Sequence, residues 1–342
     1  MDNQYAPYGR IDDLNSTPMA KGTRNEILLV SGIIGLCLIV FHYLGLWMGK
    51  GTLYLIETGA IPYNYTMVQI IQIVYTLATI LLPFAIGAWF IKRVQKRNEL
   101  VPLAFPKSGI LFVEAVGIGC MAIVVANFIT AGYVAIMNGF GFSFDNYKPE
   151  SPTGLSETLW ILLSNAFVPA LVEEYVLRGV ILQSLRKYGD AFAVFASALI
   201  FGVMHGNATQ APFAFILGAV LAMLVIMTGS LWTSITVHLI NNTYSVMMTT
   251  VLNTDGELTA SMAIVSLNIL GLIYGAVALI YLFGLHNGKA AFMSRYMPGG
   301  PSPVGIRSYR RKAWLYTLIS PTMLIAFVIM IVDVLKTVHY TG

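Results

Sequence analysis

The sequence predicts an all-α protein of the polytopic membrane class, a helical bundle of about nine transmembrane spans (eight to nine). Of the 342 residues, 57% are hydrophobic and only 11% are charged, and the mean hydropathy is +0.73. Soluble proteins carry roughly 25% charged residues. Apolar stretches of the ~20 residues that cross a bilayer as a helix recur from Ile27 almost to the C-terminus. One helical membrane domain therefore explains the chain better than two or three soluble domains.

The spans are predicted from apolar runs separated by polar or glycine-rich loops. In chain order they cover residues 27–48, 67–91, 110–137, 157–177, 191–206, 211–228, 231–252, 260–283 and 313–335. The fourth continues as a helix toward Arg186, and the fifth is so short that neighbouring helices must shield its ends. The predicted organisation is a cytoplasmic tail (1–25), a membrane domain (26–284) with a functional core at 156–250, a cytoplasmic loop (285–312) and an accessory C-terminal transmembrane helix (313–342).

The basic residues predict the orientation of the bundle. They cluster in the loops around residues 21–24, 92–97, 186–187 and 289–312, which nine spans place on one face, whereas the acidic loops at 145–150 and 255–257 fall on the other. Lys and Arg stay preferentially on the cytoplasmic side. We expect a multi-pass protein of a bacterial-type cell membrane with a cytoplasmic N-terminus. Basic residues spread in this way do not predict nucleic-acid binding.

The fourth span contains charged residues where lipid disfavours them. The sequence Glu173-Glu174-Tyr-Val-Leu-Arg178 lies in an apolar helix, where each buried charge costs at least roughly 2.5 to 3.5 kcal/mol. Glu174 and Arg178 stand at i and i+4, which predicts a structural ion pair. Glu173 faces another direction and has no local partner, so it is the candidate general base. A solvated salt bridge beyond the membrane remains the alternative.

Two later spans supply further polar side chains. His205 closes the fifth span, and His238 and Asn242 stand at i and i+4 in the seventh. The alternative for His205 is an interfacial position without function. The alternative for His238 and Asn242 is hydrogen bonding that holds helices together. Three other ionisable residues in spans, Glu114, His42 and Asp333, are predicted to reach the membrane interface.

Together these residues contain the groups that a hydrolase requires, in a cavity formed by spans four, five and seven. The candidate catalytic set is Glu173, Glu174, His205, His238 and Asn242. Glu173 can take a proton from a water that His205 positions, while His238 and Asn242 bind an oxyanion. Alternatively His205 and His238, with Glu173 or Asn242, can hold a metal such as zinc that activates the water. An HExxH motif is absent, and both the zinc-dependent and the metal-free reaction stay open.

The order EExxxR, FxxxH and HxxxN in successive apolar helices resembles the CPBP family of intramembrane metalloproteases. The motifs stand as Glu173-Glu174-Tyr-Val-Leu-Arg178, Phe201-Gly-Val-Met-His205 and His238-Leu-Ile-Asn241-Asn242. The family includes CAAX prenyl endopeptidases and bacteriocin-processing or self-immunity proteins. The resemblance implies that Glu173 is the base, that His205 acts at the water, and that His238 and Asn242 bind the oxyanion or metal. It also implies a cavity open to the cytoplasm and membrane.

The predicted function is therefore cleavage of a peptide bond in a small peptide or membrane-associated protein near the cytoplasmic leaflet. The expected partners are this substrate and the lipid bilayer, without nucleic acid; the oligomeric state is not predicted. Two rival functions fit the same residues. A proton-coupled transporter also places Glu, His and Asn at mid-membrane, but broken helices and internal repeats are not evident. A non-catalytic scaffold or bacteriocin immunity protein would keep the fold without the chemistry.

Overall fold

The chain forms a bundle of long helices and one short pair of strands. The computed structural model describes residues 21–145, 152, 154–254, 257–285 and 310–341. The α-helices are α1 Lys21–Glu57, α2 Tyr65–Thr76, α3 Leu82–Gln95, α4 Gly109–Gly139, α5 Leu155–Leu162, α6 Val168–Glu174, α7 Leu182–Leu185, α8 Asp190–Met204, α9 Gln210–Thr228, α10 Leu231–Thr254, α11 Glu257–Ile280, α12 Arg310–Leu318 and α13 Pro321–Lys336. Strands β1 Phe142–Phe144 and β2 Val338–Tyr340 pair antiparallel. Residues 1–20 of the predicted tail and 286–309 of the predicted loop lie outside the described residues.

Several helical stretches have the length and hydropathy of transmembrane helices. Six of them, in the described residues, are Gly22–Glu57, Tyr65–Gln95, Gly109–Gly139, Leu155–Tyr188, Gln210–Thr228 and Ser261–Gly284. The helix α8 is apolar but shorter, as the sequence predicted for the fifth span. An all-α membrane bundle is therefore confirmed. The count of nine spans stays a prediction, since it also requires α8, α10 and the C-terminal helices to cross.

The second and fourth spans each contain a π-helical turn just before a proline. These turns are Leu77–Leu81, followed by Pro83, and Leu163–Phe167, followed by Pro169. A proline has no N–H to donate and its ring clashes with the carbonyl four residues earlier, so the preceding turn must widen. The fourth span is helical throughout, and it carries Glu173 and Glu174 into the centre of the bundle.

The C-terminal segment differs from the prediction of one continuous accessory helix over 313–342. It consists of α12 and α13, separated at Ile319 and Ser320, because Pro321 at the start of α13 cannot donate a hydrogen bond to α12. Both helices pack on α1. The hydroxyl of Ser31 donates to that of Thr317 at 3.1 Å, and the hydroxyl of Thr322 donates to the carbonyl of Gly32 at 2.7 Å.

The helix ends define two faces of the bundle. On the first, Lys187 Nζ bonds Glu26 Oε1 at 2.6 Å and Arg97 donates to the carbonyl of Gln183 at 3.0 Å. Because three of the basic loops meet here, we call this the basic face. On the opposite side β1 follows α4 and β2 follows α13, and we call it the strand face. The start of α9 also lies there, since the amide of Ala208 donates to the hydroxyl of Thr337 at 3.0 Å.

Candidate active site

The innermost part of the site is a closed network around Arg178. This side chain follows α6 in a second π-helical turn of the fourth span, Tyr175–Ile181, and is completely buried. Its Nη1 donates to Glu174 Oε1 at 2.7 Å, and its Nη2 donates to the carbonyl of Gly218 on α9 at 3.2 Å. The guanidinium also lies 4.6 Å from the ring centre of Phe201. Glu174 and Arg178 thus form the i,i+4 ion pair, and α9 helps to enclose it.

His238 belongs to the same network through a hydrogen bond with Glu174, whereas Asn242 bonds with its neighbour Asn241. Its Nδ1 lies 2.8 Å from Glu174 Oε1, the oxygen that also accepts from Arg178. An ionised carboxylate can only accept hydrogen bonds, so Nδ1 carries the proton and Nε2 is the nitrogen left for chemistry. A carboxylate behind an imidazole in this way fixes the orientation and the tautomer of the ring. Glu174 therefore contacts two partners, of which the sequence predicted one.

Glu173 lies on the other side of His238. Its Oε2 is 3.7 Å from His238 Nε2, and 20% of the side chain is exposed, against 0% for Glu174. This distance is too long for a direct hydrogen bond but short enough for both groups to bind one water. The two adjacent glutamates therefore approach opposite nitrogens of the same imidazole, one buried and one accessible.

His205 lies at the end of α8, where the chain leaves the helix. Its Nδ1 donates to the carbonyl of Phe201 at 2.8 Å, because a carbonyl can only accept, and this leaves Nε2 free. The ring of Phe201 contacts both imidazoles edge to face, with its centre 4.8 Å from that of His205 and 5.7 Å from that of His238. His205 is exposed whereas His238 is buried. Phe201 therefore separates a buried histidine from an exposed one.

A polar cavity of about 800 Å³ begins at His205. Its walls come from α4, the start of α9, α10 and the start of α11. Asn242 lines it together with Asn241, whose Nδ2 donates to Asn242 Oδ1 at 3.1 Å. The structure thus brings Glu173, Glu174, Arg178 and His238 into one cluster and places His205 and Asn242 in the adjoining cavity. The resemblance implied a cavity open to the cytoplasm and membrane, which stays a prediction; the cavity seen here extends from near the middle of α4 and α10 toward the strand face.

The residues of the site do not by themselves form a metal centre. Structural and catalytic zinc ions take three or four protein ligands. Glu173 and His238 face each other, but among the described residues no three His, Cys, Asp or Glu side chains are grouped so that they could hold a metal ion. Zinc therefore stays a prediction, and the chemistry is derived from the side chains alone.

Some contributors to the site were not predicted from the sequence. Phe201 was part of a recognised motif but had no predicted role. Gly218 was missed, although a small residue in an apolar helix signals close helix packing: a β-carbon there would lie 3.0 Å from the Phe201 ring and 3.3 Å from Arg178 Nη2. The side chain of Glu114, which the sequence predicted to reach the membrane interface, is buried among other side chains with 5% exposure.

A comparison with known protein families supports the resemblance that the motifs indicated. No curated protein and no solved structure matches the chain. The family model of type II CAAX prenyl endopeptidase Rce1-like proteins matches residues 155–244, which run from the start of α5 into α10. This segment contains Glu173, Glu174, His205, His238 and Asn242. The resemblance to CPBP proteins is therefore confirmed: residues 155–244 of this multi-pass bundle of apolar helices match the Rce1-like family model.

Proposed function

We propose that the protein is an intramembrane endopeptidase in which Glu173 activates a water against a peptide bond. The observation that supports this best is the position of His238 between two carboxylates, 2.8 Å from Glu174 and 3.7 Å from Glu173. A packing role explains the first contact but not the second. The second leaves a basic nitrogen and an accessible carboxylate directed at one point, which suits a hydrolase.

In the first step, a water bound between Glu173 Oε2 and His238 Nε2 gives its proton to Glu173. Its oxygen attacks the carbonyl carbon of the scissile peptide, and the carbonyl oxygen becomes an oxyanion. Transfer of a proton to a positioned base contributes typically 10²–10⁴-fold to a rate. Glu173 is suited to this step because its side chain is reachable, whereas that of Glu174 is not.

In the second step, the protonated Glu173 gives the proton to the leaving amide nitrogen as the carbon–nitrogen bond breaks. The products are a carboxylic acid and an amine, and Glu173 returns to its ionised form. A proton then passes from the acid to the amine, which gives a carboxylate and an ammonium group. The side-chain amide of Asn242 donates to the oxyanion, and His205 Nε2 accepts a hydrogen bond from the substrate or the water. A single oxyanion donor is typically worth 10²–10³-fold in rate.

The role of Glu174 in this scheme is to position His238. Its Oε1 holds the Nδ1 proton and is itself held by Arg178. The imidazole therefore keeps the tautomer in which Nε2 faces Glu173. The two glutamates share a motif but have different tasks.

The test compares membranes that contain the wild type or Glu173→Gln at equal abundance. Peptides that accumulate uncut in the variant are identified by mass spectrometry. Glu26→Gln is the matched control, because Glu26 is a carboxylate on the basic face. We expect peptides to accumulate only with Glu173→Gln. An unchanged profile would count against proteolysis and favour the scaffold, and proton-coupled flux in proteoliposomes would favour the transporter.

The requirement for zinc is tested separately. Metal content is measured in protein purified without chelator, beside His205→Ala and His238→Ala. Zinc at one ion per chain that both substitutions abolish would establish a metal centre. Cleavage that persists in metal-free protein would establish the scheme above.

A further inference from the structure

The direction from which the candidate site can be reached follows from where the cavity lies along its helices. Both α4 and α10 run from the basic face to the strand face. The amide of Leu231, at the start of α10, donates to the carbonyl of Pro102 at 3.0 Å in the loop that precedes α4. The cavity residues on these helices, Asn127 to Asn138 and Asn241 to Thr249, extend from near the middle of each helix toward its later end. The cavity is therefore on the strand side of His238.

The opposite direction, from His238 to the basic face, is filled with side chains. On α10 the residues between the helix start and His238 are almost all buried, with Thr233, Ser234 and Val237 at 0% exposure. On the fourth span Val180 and Leu185, which follow Arg178 toward the basic face, are also at 0%. A core packed in this way contains few voids larger than a water molecule. A polypeptide cannot reach Glu173 through it.

The charges of the loops assign the two faces to the two sides of the membrane. The described loops of the basic face carry Lys92, Arg93, Lys96, Arg97, Arg186 and Lys187, against the acidic Glu99 and, at the start of α8, Asp190. Near the strand face the chain carries Glu57, Asp145 and Glu157, together with Lys50 and Lys336. An excess of Lys and Arg marks the cytoplasmic side. The cavity therefore opens on the extracytoplasmic side.

The lining of the cavity indicates what enters it. Its lining residues include no Asp, Glu, Lys or Arg, and besides the imidazole of His205 its polar groups are amides and hydroxyls, such as Asn127, Asn138, Gln210 and Ser245. Amides and hydroxyls both donate and accept, as the backbone of an extended peptide requires. A volume of about 800 Å³ is within the usual range of ligand cavities, about 300–1,000 Å³.

We infer that the substrate is an uncharged, extended polypeptide segment that reaches the site from the extracytoplasmic side of the membrane. Such a segment belongs to an exported peptide or to the outer part of a membrane protein. The inference rests on the proposed function for the cleavage itself, but the side of entry is independent of catalysis. It replaces the cytoplasmic entry that the resemblance implied.

The experiment measures the accessibility of single cysteines in vesicles sealed in either orientation. Cys37 and Cys120 are first replaced by Ala, and Ser245→Cys is introduced in the cavity, with Glu99→Cys on the basic face as the matched control. The probe is a membrane-impermeant maleimide that carries a sulfonate. We expect Ser245→Cys to react in right-side-out vesicles and Glu99→Cys only in inside-out vesicles. All variants are also tested with Glu173→Gln, which should leave the labelling unchanged.

Two outcomes would overturn the inference. Ser245→Cys that reacts only in inside-out vesicles would place the cavity on the cytoplasmic side, and Ser245→Cys that stays unreactive even in detergent would show that the cavity is closed. Failure of the proposed function looks different: labelling follows the expected pattern, but no peptide depends on Glu173. Where Glu173-dependent peptides are found, modification of Ser245→Cys from the outside should block their release.

Discussion

The two neighbouring glutamates of the fourth span have opposite surroundings. Glu174 is fully buried and binds both Arg178 and His238, whereas Glu173 is 20% exposed and approaches His238 without a direct hydrogen bond. One step along the helix therefore separates a carboxylate that stabilises the bundle from one that is available for chemistry. The difference means that stability and activity can be separated by substitutions one residue apart.

The largest effect on stability is expected from Glu174→Gln. It leaves Arg178 charged and completely buried without a counter-ion, which typically costs 3–5 kcal/mol. The free energy of unfolding is measured by denaturant titration in detergent micelles. Glu26→Gln breaks the partly exposed ion pair with Lys187 and should cost no more than about 1 kcal/mol. Equal stability of Glu174→Gln and the wild type would show that the buried pair does not hold the bundle together.

A smaller effect is expected from Gly119→Ala, which tests the support behind His238. A β-carbon on Gly119 would lie 2.5 Å from the side chain of Val237, next to His238 on α10. Overpacking of this kind typically costs 1–3 kcal/mol, and here it should also displace His238 and slow cleavage. The control is Gly132→Ala on the same helix, where a β-carbon meets nothing within 4 Å. Similar cleavage rates in both variants would show that activity does not depend on the exact position of α10.

The smallest effect on stability is expected from His205→Ala. This side chain is exposed and its hydrogen bond is local, so the free energy of unfolding should change by no more than about 0.5 kcal/mol. The rate of cleavage should nevertheless fall, because in the proposed mechanism His205 accepts a hydrogen bond from the substrate or the water. A wild-type rate of cleavage would show that His205 is not part of the active site. The site would then consist only of the cluster around His238.

Much of the fold was predictable from the sequence because lipid imposes simple rules. The third span was predicted at 110–137 and is observed as Gly109–Gly139, since hydropathy marks the residues that face lipid. The pair of Glu174 and Arg178 follows from helical spacing alone. The break before Pro321 was also readable from the chemistry of proline, although the prediction ran one helix through it.

The rest depends on contacts between residues distant in the chain. His238 is 64 residues from Glu174, and no local pattern shows that its ring contacts both glutamates. His42 and Asp333 were each predicted to lie at the interface, yet they pair at 3.0 Å because α13 packs on α1. The side of the bundle on which the cavity lies could not be predicted, because it depends on how all the helices pack together. Motifs thus predicted the residues of the candidate site but not which of them lie in contact.

The most direct test of this account is to measure cleavage and unfolding of Glu173→Gln in one preparation, using a peptide found to depend on Glu173. We expect cleavage to fall by about 10²–10⁴-fold, as is typical for the loss of a general base. The free energy of unfolding should stay within about 1 kcal/mol of the wild type, because Glu173 is not part of the closed network. Cleavage at the wild-type rate, or a loss of stability as large as that of Glu174→Gln, would contradict the separate tasks of the two glutamates.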